Sequence, residues 1–168
     1  MQERYWRLMQ QLRADGYYFS EYAVSIDKTN DRITVIIAVA SSVIAGLGAY
    51  QKTYPLIWTL VVVALQAISV YSHNRPLKKR VGALHALSQD IDSIYLQAED
   101  EWYHVANGER TESEINDTIT DLKQQHQKAE TKRIAEMPLP KDAKHRETAD
   151  RLTEAYFFQT FNVRSTTE

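Results

Sequence analysis

One stretch constrains this chain more than any other. From Ile33 to Asn74 the only charged residue is Lys52, although the chain as a whole carries 20 basic and 22 acidic residues. An amphipathic helix of a soluble protein turns a polar face to water, and no such face recurs here. Lys52 divides the stretch into Ile33–Gln51 (ITVIIAVASSVIAGLGAYQ) and Thr53–Asn74 (TYPLIWTLVVVALQAISVYSHN). A bilayer core of about 30 Å takes roughly 20 helical residues at about 1.5 Å each. The sequence therefore predicts two transmembrane helices, 33–51 and 53–74, joined as a hairpin. The alternative is a buried helical pair in a soluble bundle.

The flanks agree with the hairpin. Tyr50, Tyr54 and Trp58 surround the connection as interfacial aromatics do. Thr53 and Pro55 suit the cap and first turn of a new helix. Arg75, Lys78, Lys79 and Arg80 follow the second span, with Lys28 and Arg32 ahead of the first. This bias puts both termini in the cytoplasm and the Tyr50–Tyr54 turn outside. The Arg75–Arg80 collar is a topology determinant, or a holder of anionic lipid or a phosphorylated ligand. A charge-rich segment, 1–32, precedes the first span without a cleavage pattern, so it reads as an N-terminal cytoplasmic helix and not as a signal peptide.

Within the spans, Ala38, Ser42 and Gly46 form one row of small residues, and Ser41, Ala45 and Ala49 form the next. Small faces let helices approach closely in lipid, either against the second span or between copies in a homo-oligomer. Gln66 and Ser69 share a face near mid-membrane, where an unpaired amide is costly. Gln66 either bridges to Ser41 or Ser42 or lines an aqueous path in an assembly. The spans hold no ionisable group at mid-depth, which argues against a proton relay.

The region 75–168 reads as a cytoplasmic helical bundle, and the fold class as all-α. Leu77, Val81, Leu84, Ser88, Ile91, Tyr95, Ala98, Trp102 and Val105 alternate by four and three residues, with Leu87 and Ile94 beside them. This long coiled-coil-like helix opens at Pro76, with a kink at Arg75–Pro76, and stops at Asn107-Gly108. Thr111-Glu112-Ser113-Glu114 is a capping box that starts a helix striped by Ile115, Ile119, Leu122, His126 and Ala129, ending at Met137–Pro140. A last helix, about 142–161, carries Leu152, Ala155, Tyr156 and Phe158. Residues 2–28 form another, striped by Tyr5, Met9, Leu12, Phe19, Tyr22 and Ile26.

Catalytic signals are missing. There is no cysteine, and the five histidines lack metal-ligand spacing. Glu101-x-x-His104 is half of a di-iron motif without its second half. Neither a metal nor a cofactor is expected, and the near-neutral net charge of −2 argues against DNA or RNA as a partner.

The layout of N-terminal amphipathic helix, two-span hairpin and striped helix ending in Glu99-Asp100-Glu101-Trp102-Tyr103 resembles the SLATT family. These are two-transmembrane effectors of bacterial antiphage defence. The resemblance covers nearly the whole chain and rests on layout and stripes. It implies an effector that oligomerises in the bacterial inner membrane and permeabilises it, causing growth arrest or death under cyclic nucleotide control. That control is exerted directly or through a partner. A direct site for a cyclic oligonucleotide would combine stacking aromatics with cations. Trp102, Tyr103, His104, Arg110, Lys132, Arg133, His145 and Arg146 supply those types near helix ends, or serve as core aromatics and solvated charges. The reading from a different class is a non-conducting scaffold or holin-like protein that recruits a partner through the 77–105 helix.

Overall fold

A computed structural model describes residues 1–46, 55–73, 77–134 and 142–162, without the side chains of 43–46, 55, 57–58, 71–73 and 77–78. Every element among the described residues is helical: α1 (Gln2–Gly46), α2 (Pro55–His73), α3 (Leu77–Ala106), α4 (Glu112–Ile134) and α5 (Ala143–Phe161). The all-α class expected from the stripes is what the chain adopts. The Tyr50–Tyr54 turn, the Thr53 cap, the Arg75–Pro76 kink and the Met137–Pro140 stop lie outside the described residues.

Among the described residues no helix is long and apolar enough to cross a membrane. Charges continue along α1 as far as Arg32, so its uncharged part, Ile33–Gly46, amounts to about 21 Å of helix. The 19 residues of α2 make about 28 Å and close on Ser72 and His73. Both fall short of a hydrocarbon core of about 30 Å. The expected spans, 33–51 and 53–74, each extend past the described residues. The fold thus establishes helices at these positions, not a spanning hairpin.

A further difference concerns α1. The sequence suggests a helix over 2–28 and a separate one from Ile33, yet α1 runs unbroken from Gln2 to Gly46. The charged run Asp27–Arg32 does not interrupt it, because neither glycine nor proline occurs between Tyr17 and Ala45. Thr29 and Thr34 return their hydroxyls to the carbonyls of Ser25 and Asn30, at 2.9 and 3.0 Å, and so stay inside the helix.

The chain divides into two compact units, Met1–Ala23 with Gly82–Glu168, and Val24–Val81. The first unit has a packed core. Tyr5, Met9, Leu12, Phe19 and Ala23 of α1 are buried, as are Leu84, Leu87, Ile91, Tyr95, Ala98 and Val105 of α3. Ile115, Ile119, Leu122 and Ala129 of α4 complete three walls. Burying each large apolar side chain stabilises by about 1.5–3 kcal/mol. Two buried hydroxyls bind α1 to α3: Tyr5 donates to the Ala98 carbonyl at 3.0 Å, and Ser88 donates to the Gly16 carbonyl at 3.0 Å. At Gly16 the two helices come so close that an added Cβ would lie 3.0 Å from Asp92 Oδ1.

The helix ends follow from local chemistry. Gly108, at φ +73°, turns the chain off α3, and the Glu109 amide closes on the His104 carbonyl at 3.0 Å. Thr111 caps α4: the Glu114 carboxylate accepts from the Thr111 amide at 2.7 Å, while the Glu114 amide donates back to the Thr111 hydroxyl at 3.3 Å. Asp142 caps α5, its side chain accepting from the Lys144 amide. The face α5 buries is Ala149, Thr153 and Phe157. The stripe read from sequence, Leu152, Ala155, Tyr156 and Phe158, misses it, and Phe158 is 48% exposed. With one large residue among three buried positions, this helix carries almost no hydropathy period to read.

Candidate functional site

The cations expected to hold a ligand are placed by three helix ends, and carboxylates face them at each. Arg110, just past α3, engages Glu101 through Nε and through Nη2, the latter at 3.1 Å. The Glu101 hydrogen bond holds the Arg110 guanidinium above its ordinary value. His104 Nδ1 lies 2.6 Å from Glu109. At the end of α4, Arg133 donates to Asp90 of α3 at 2.9 Å, and this bond holds the Asp90 carboxyl below the usual range. At the start of α5, Arg146 donates to Asp15 of α1 at 2.6 Å and lies 3.2 Å from Asp150. Burial opposes the Arg146 charge, yet the Asp15 and Asp150 carboxylates hold it firmly protonated. His145 Nδ1 sits 2.7 Å from Asp142 Oδ2, off the line of a straight hydrogen bond. Lys132 is exposed on α4 beside Lys128 and Thr131.

The aromatics are engaged too. Trp102 is half-buried, its ring 6.0 Å from Tyr5 and 5.1 Å from Trp6. Tyr103 is 67% exposed, with its ring 5.7 Å from His104. The eight candidates therefore do not share one set of contacts. Trp102, Tyr103, His104 and Arg110 belong to the end of α3. Arg133 faces Asp90, and His145 and Arg146 serve the α5–α1 junction. A phosphate at Arg110, Arg133 or Arg146 would compete with the carboxylates already paired there.

Sequence reasoning missed a second cluster. The Arg13 guanidinium stacks over the rings of Tyr17, Tyr95 and Tyr156 at 4.6, 4.9 and 4.3 Å. It also donates to Asp92 at 3.1 Å. Tyr95 and Tyr156 both donate to Glu99, at 3.1 and 2.8 Å. Burial, then the hydrogen bonds around it, push the Tyr95 phenol well up. Burial also raises the Asp92 carboxyl, against the pull of Arg13. Nothing local in the sequence marks this group, because its members come from α1, α3 and α5. Alongside it, a cleft of about 300 Å³ runs between α1 and α5, floored by Ala14, Thr153 and Phe157 and edged by Gln10, Gln11 and Arg146. Among the described residues no group of histidines and carboxylates is arranged to hold a metal ion.

The unit Val24–Val81 has the opposite surface. Val35, Ile36 and Val39 of α1 are 57–66% exposed, and on α2 Leu56 is 82% and Leu60 71% exposed. Val61, Val63, Ile68 and Val70 are exposed as well. Ile33, Ile37 and Ala40 on α1, with Val62 and Leu65 on α2, are half-buried. Ala38, Ser41 and Ser42 are exposed, so the described part of the small-residue rows is not covered within this unit. Ser41 and Ser42 donate one turn back, to the Ile37 and Ala38 carbonyls at 2.8 and 2.9 Å. Gln66 and Ser69 are both exposed on α2. Ala45 and Gly46 have no described side-chain surroundings.

Compared with known proteins, the chain matches no family model, no curated protein and no solved structure.

Proposed function

We propose that this chain is a membrane effector whose copies assemble in the bacterial inner membrane through the 33–74 region and permeabilise it, under cyclic nucleotide control, as the SLATT resemblance implies. In this reading 33–51 and 53–74 span the bilayer as a hairpin with both termini in the cytoplasm. The observation that carries the proposal is the surface of the Val24–Val81 unit. Of the thirteen exposed large apolar side chains among the described residues, nine belong to it. A soluble monomer rarely exposes an apolar patch beyond a few hundred Å², whereas lipid or neighbouring helices would cover such a surface at no cost. The uncovered Ala38, Ser41 and Ser42 suit contact between copies better than contact inside one hairpin.

The role is permeabilisation, not catalysis. The pairing of Arg110, Arg133 and Arg146 with carboxylates favours a route in which the nucleotide signal reaches this chain through a partner protein instead of by direct contact. Calorimetry of the purified protein against a panel of cyclic dinucleotides tests that point: no heat is expected, and saturable heat overturns it. Inducible expression with a potential-sensitive dye tests the proposal itself. Loss of membrane potential is expected, and it disappears in a Leu60→Lys, Val63→Lys variant. Inert expression together with stable capture of a cytoplasmic partner would instead establish the scaffold reading.

A further inference from the structure

The helix α5 is held differently from the rest of its unit. Among its 19 residues only Ala149, Thr153 and Phe157 are buried. By contrast, α3 buries Leu84, Leu87, Ile91, Ile94, Tyr95, Ala98 and Val105. Because an apolar face supplies most of the free energy that keeps a helix docked, α5 is the least firmly held of the helices in this unit. Its seam against α1 is also incompletely filled: the cleft of about 300 Å³ opens there, directly over Ala14, Thr153 and Phe157.

What holds α5 is a set of discrete anchors along its length. Arg146 donates to Asp15 at one end. Midway, Tyr156 donates to Glu99 and carries Arg13 over its ring. Near the other end, Phe157 and Phe161 meet the Trp6 ring edge-on, at 5.0 and 5.1 Å. Polar anchors on half-exposed groups exchange readily with water, so losing them costs far less than opening a sealed core. Segments with few buried apolar contacts open independently of the global transition.

We propose that α5 is a latch that swings off α1 and α3 as one piece while those helices stay folded, uncovering the face formed by Trp6, Arg13 and Tyr95. The remaining three helices bury Tyr5, Met9, Leu12, Leu87, Ile91, Ile119 and Leu122, a larger apolar set than the three positions α5 contributes, and so have a core to keep when it opens. The exposed aromatic and cationic face is then a surface that exists only in the open state. This inference does not depend on the proposed membrane activity.

The absence of cysteine supplies the test. Ala149 of α5 and Ala98 of α3 are both 0% exposed. In the full-length protein, Ala149→Cys and Ala98→Cys each provide a single buried thiol. Labelling of the Ala149→Cys protein is expected to run at least tenfold faster than labelling of the Ala98→Cys protein. Adding Tyr156→Phe is expected to raise the first rate about tenfold while leaving the second unchanged. Equal labelling rates, or acceleration of both thiols alike, overturns the latch. Hydrogen exchange on the unsubstituted chain guards against damage from the probes. Amides of α5 must exchange faster than those of α3, and exchange at one common rate also overturns it.

Discussion

Replacing Gly16 by alanine probes a close approach of α1 and α3. In a helix interior, glycine to alanine stabilises by about 1 kcal/mol through backbone entropy alone. At this site the new Cβ would lie 3.0 Å from Asp92 Oδ1 and 3.7 Å from Ile91 Cγ2. The second distance is ordinary contact. The first requires the carboxylate to retreat by a few tenths of an ångström, and that carboxylate is held by Arg13 at 3.1 Å. Moving it weakens a partly buried, charge-assisted bond whose whole worth is about 1.5–3 kcal/mol. The two effects nearly cancel, so Gly16→Ala alone should change stability by less than about 0.5 kcal/mol. In an Asp92→Ala background nothing opposes the new methyl, and the same substitution should stabilise by about 1 kcal/mol. Urea unfolding of the four proteins in one buffer measures the coupling, expected at roughly 0.5–1 kcal/mol. Identical effects of Gly16→Ala in both backgrounds would refute the conclusion that the Asp92 carboxylate opposes a side chain at position 16.

Three further outcomes follow from the same contacts. Tyr5→Phe removes the buried hydroxyl that donates from α1 to the Ala98 carbonyl of α3, and should cost about 1 kcal/mol in urea unfolding. Arg13→Gln removes three ring contacts and the Asp92 pair, and should cost about 2 kcal/mol in urea unfolding. Asp142 has its carboxyl held below the ordinary range, first by the neighbouring His145 and then by the amides it caps. A depressed carboxyl contributes stability that is complete above its unfolded value near 4 and fades as pH falls through its lower folded value. Acidification below about pH 4 should therefore loosen α5. Asp142→Asn should remove that dependence while lowering α5 protection at neutral pH; an unchanged acid profile in the variant would count against it.

Much of the larger helical unit could be read from residue order. The α3 stripe holds because its register repeats: Leu84, Ser88, Ile91, Tyr95, Ala98 and Val105 are all buried. Capping boxes and glycine stops are short-range devices, so Thr111–Glu114 and Gly108 sit where their chemistry requires. The limits of α1 were less legible, since charge marks a polar surface but does not end a helix. Neither was the docking face of α5 legible, where small residues carry the contact. The candidate site was legible as residue types only. Arg146 meets Asp15 across 131 positions and Arg133 meets Asp90 across 43, and no local pattern announces either pairing.

The proposed membrane activity requires the 33–74 region to sit in a bilayer, and extraction of membranes at alkaline pH tests that placement without intermediaries. The full-length chain is expected to stay with the lipid through carbonate washing, while the Leu60→Lys, Val63→Lys variant is released. Release of the unsubstituted chain into the wash would contradict the membrane placement.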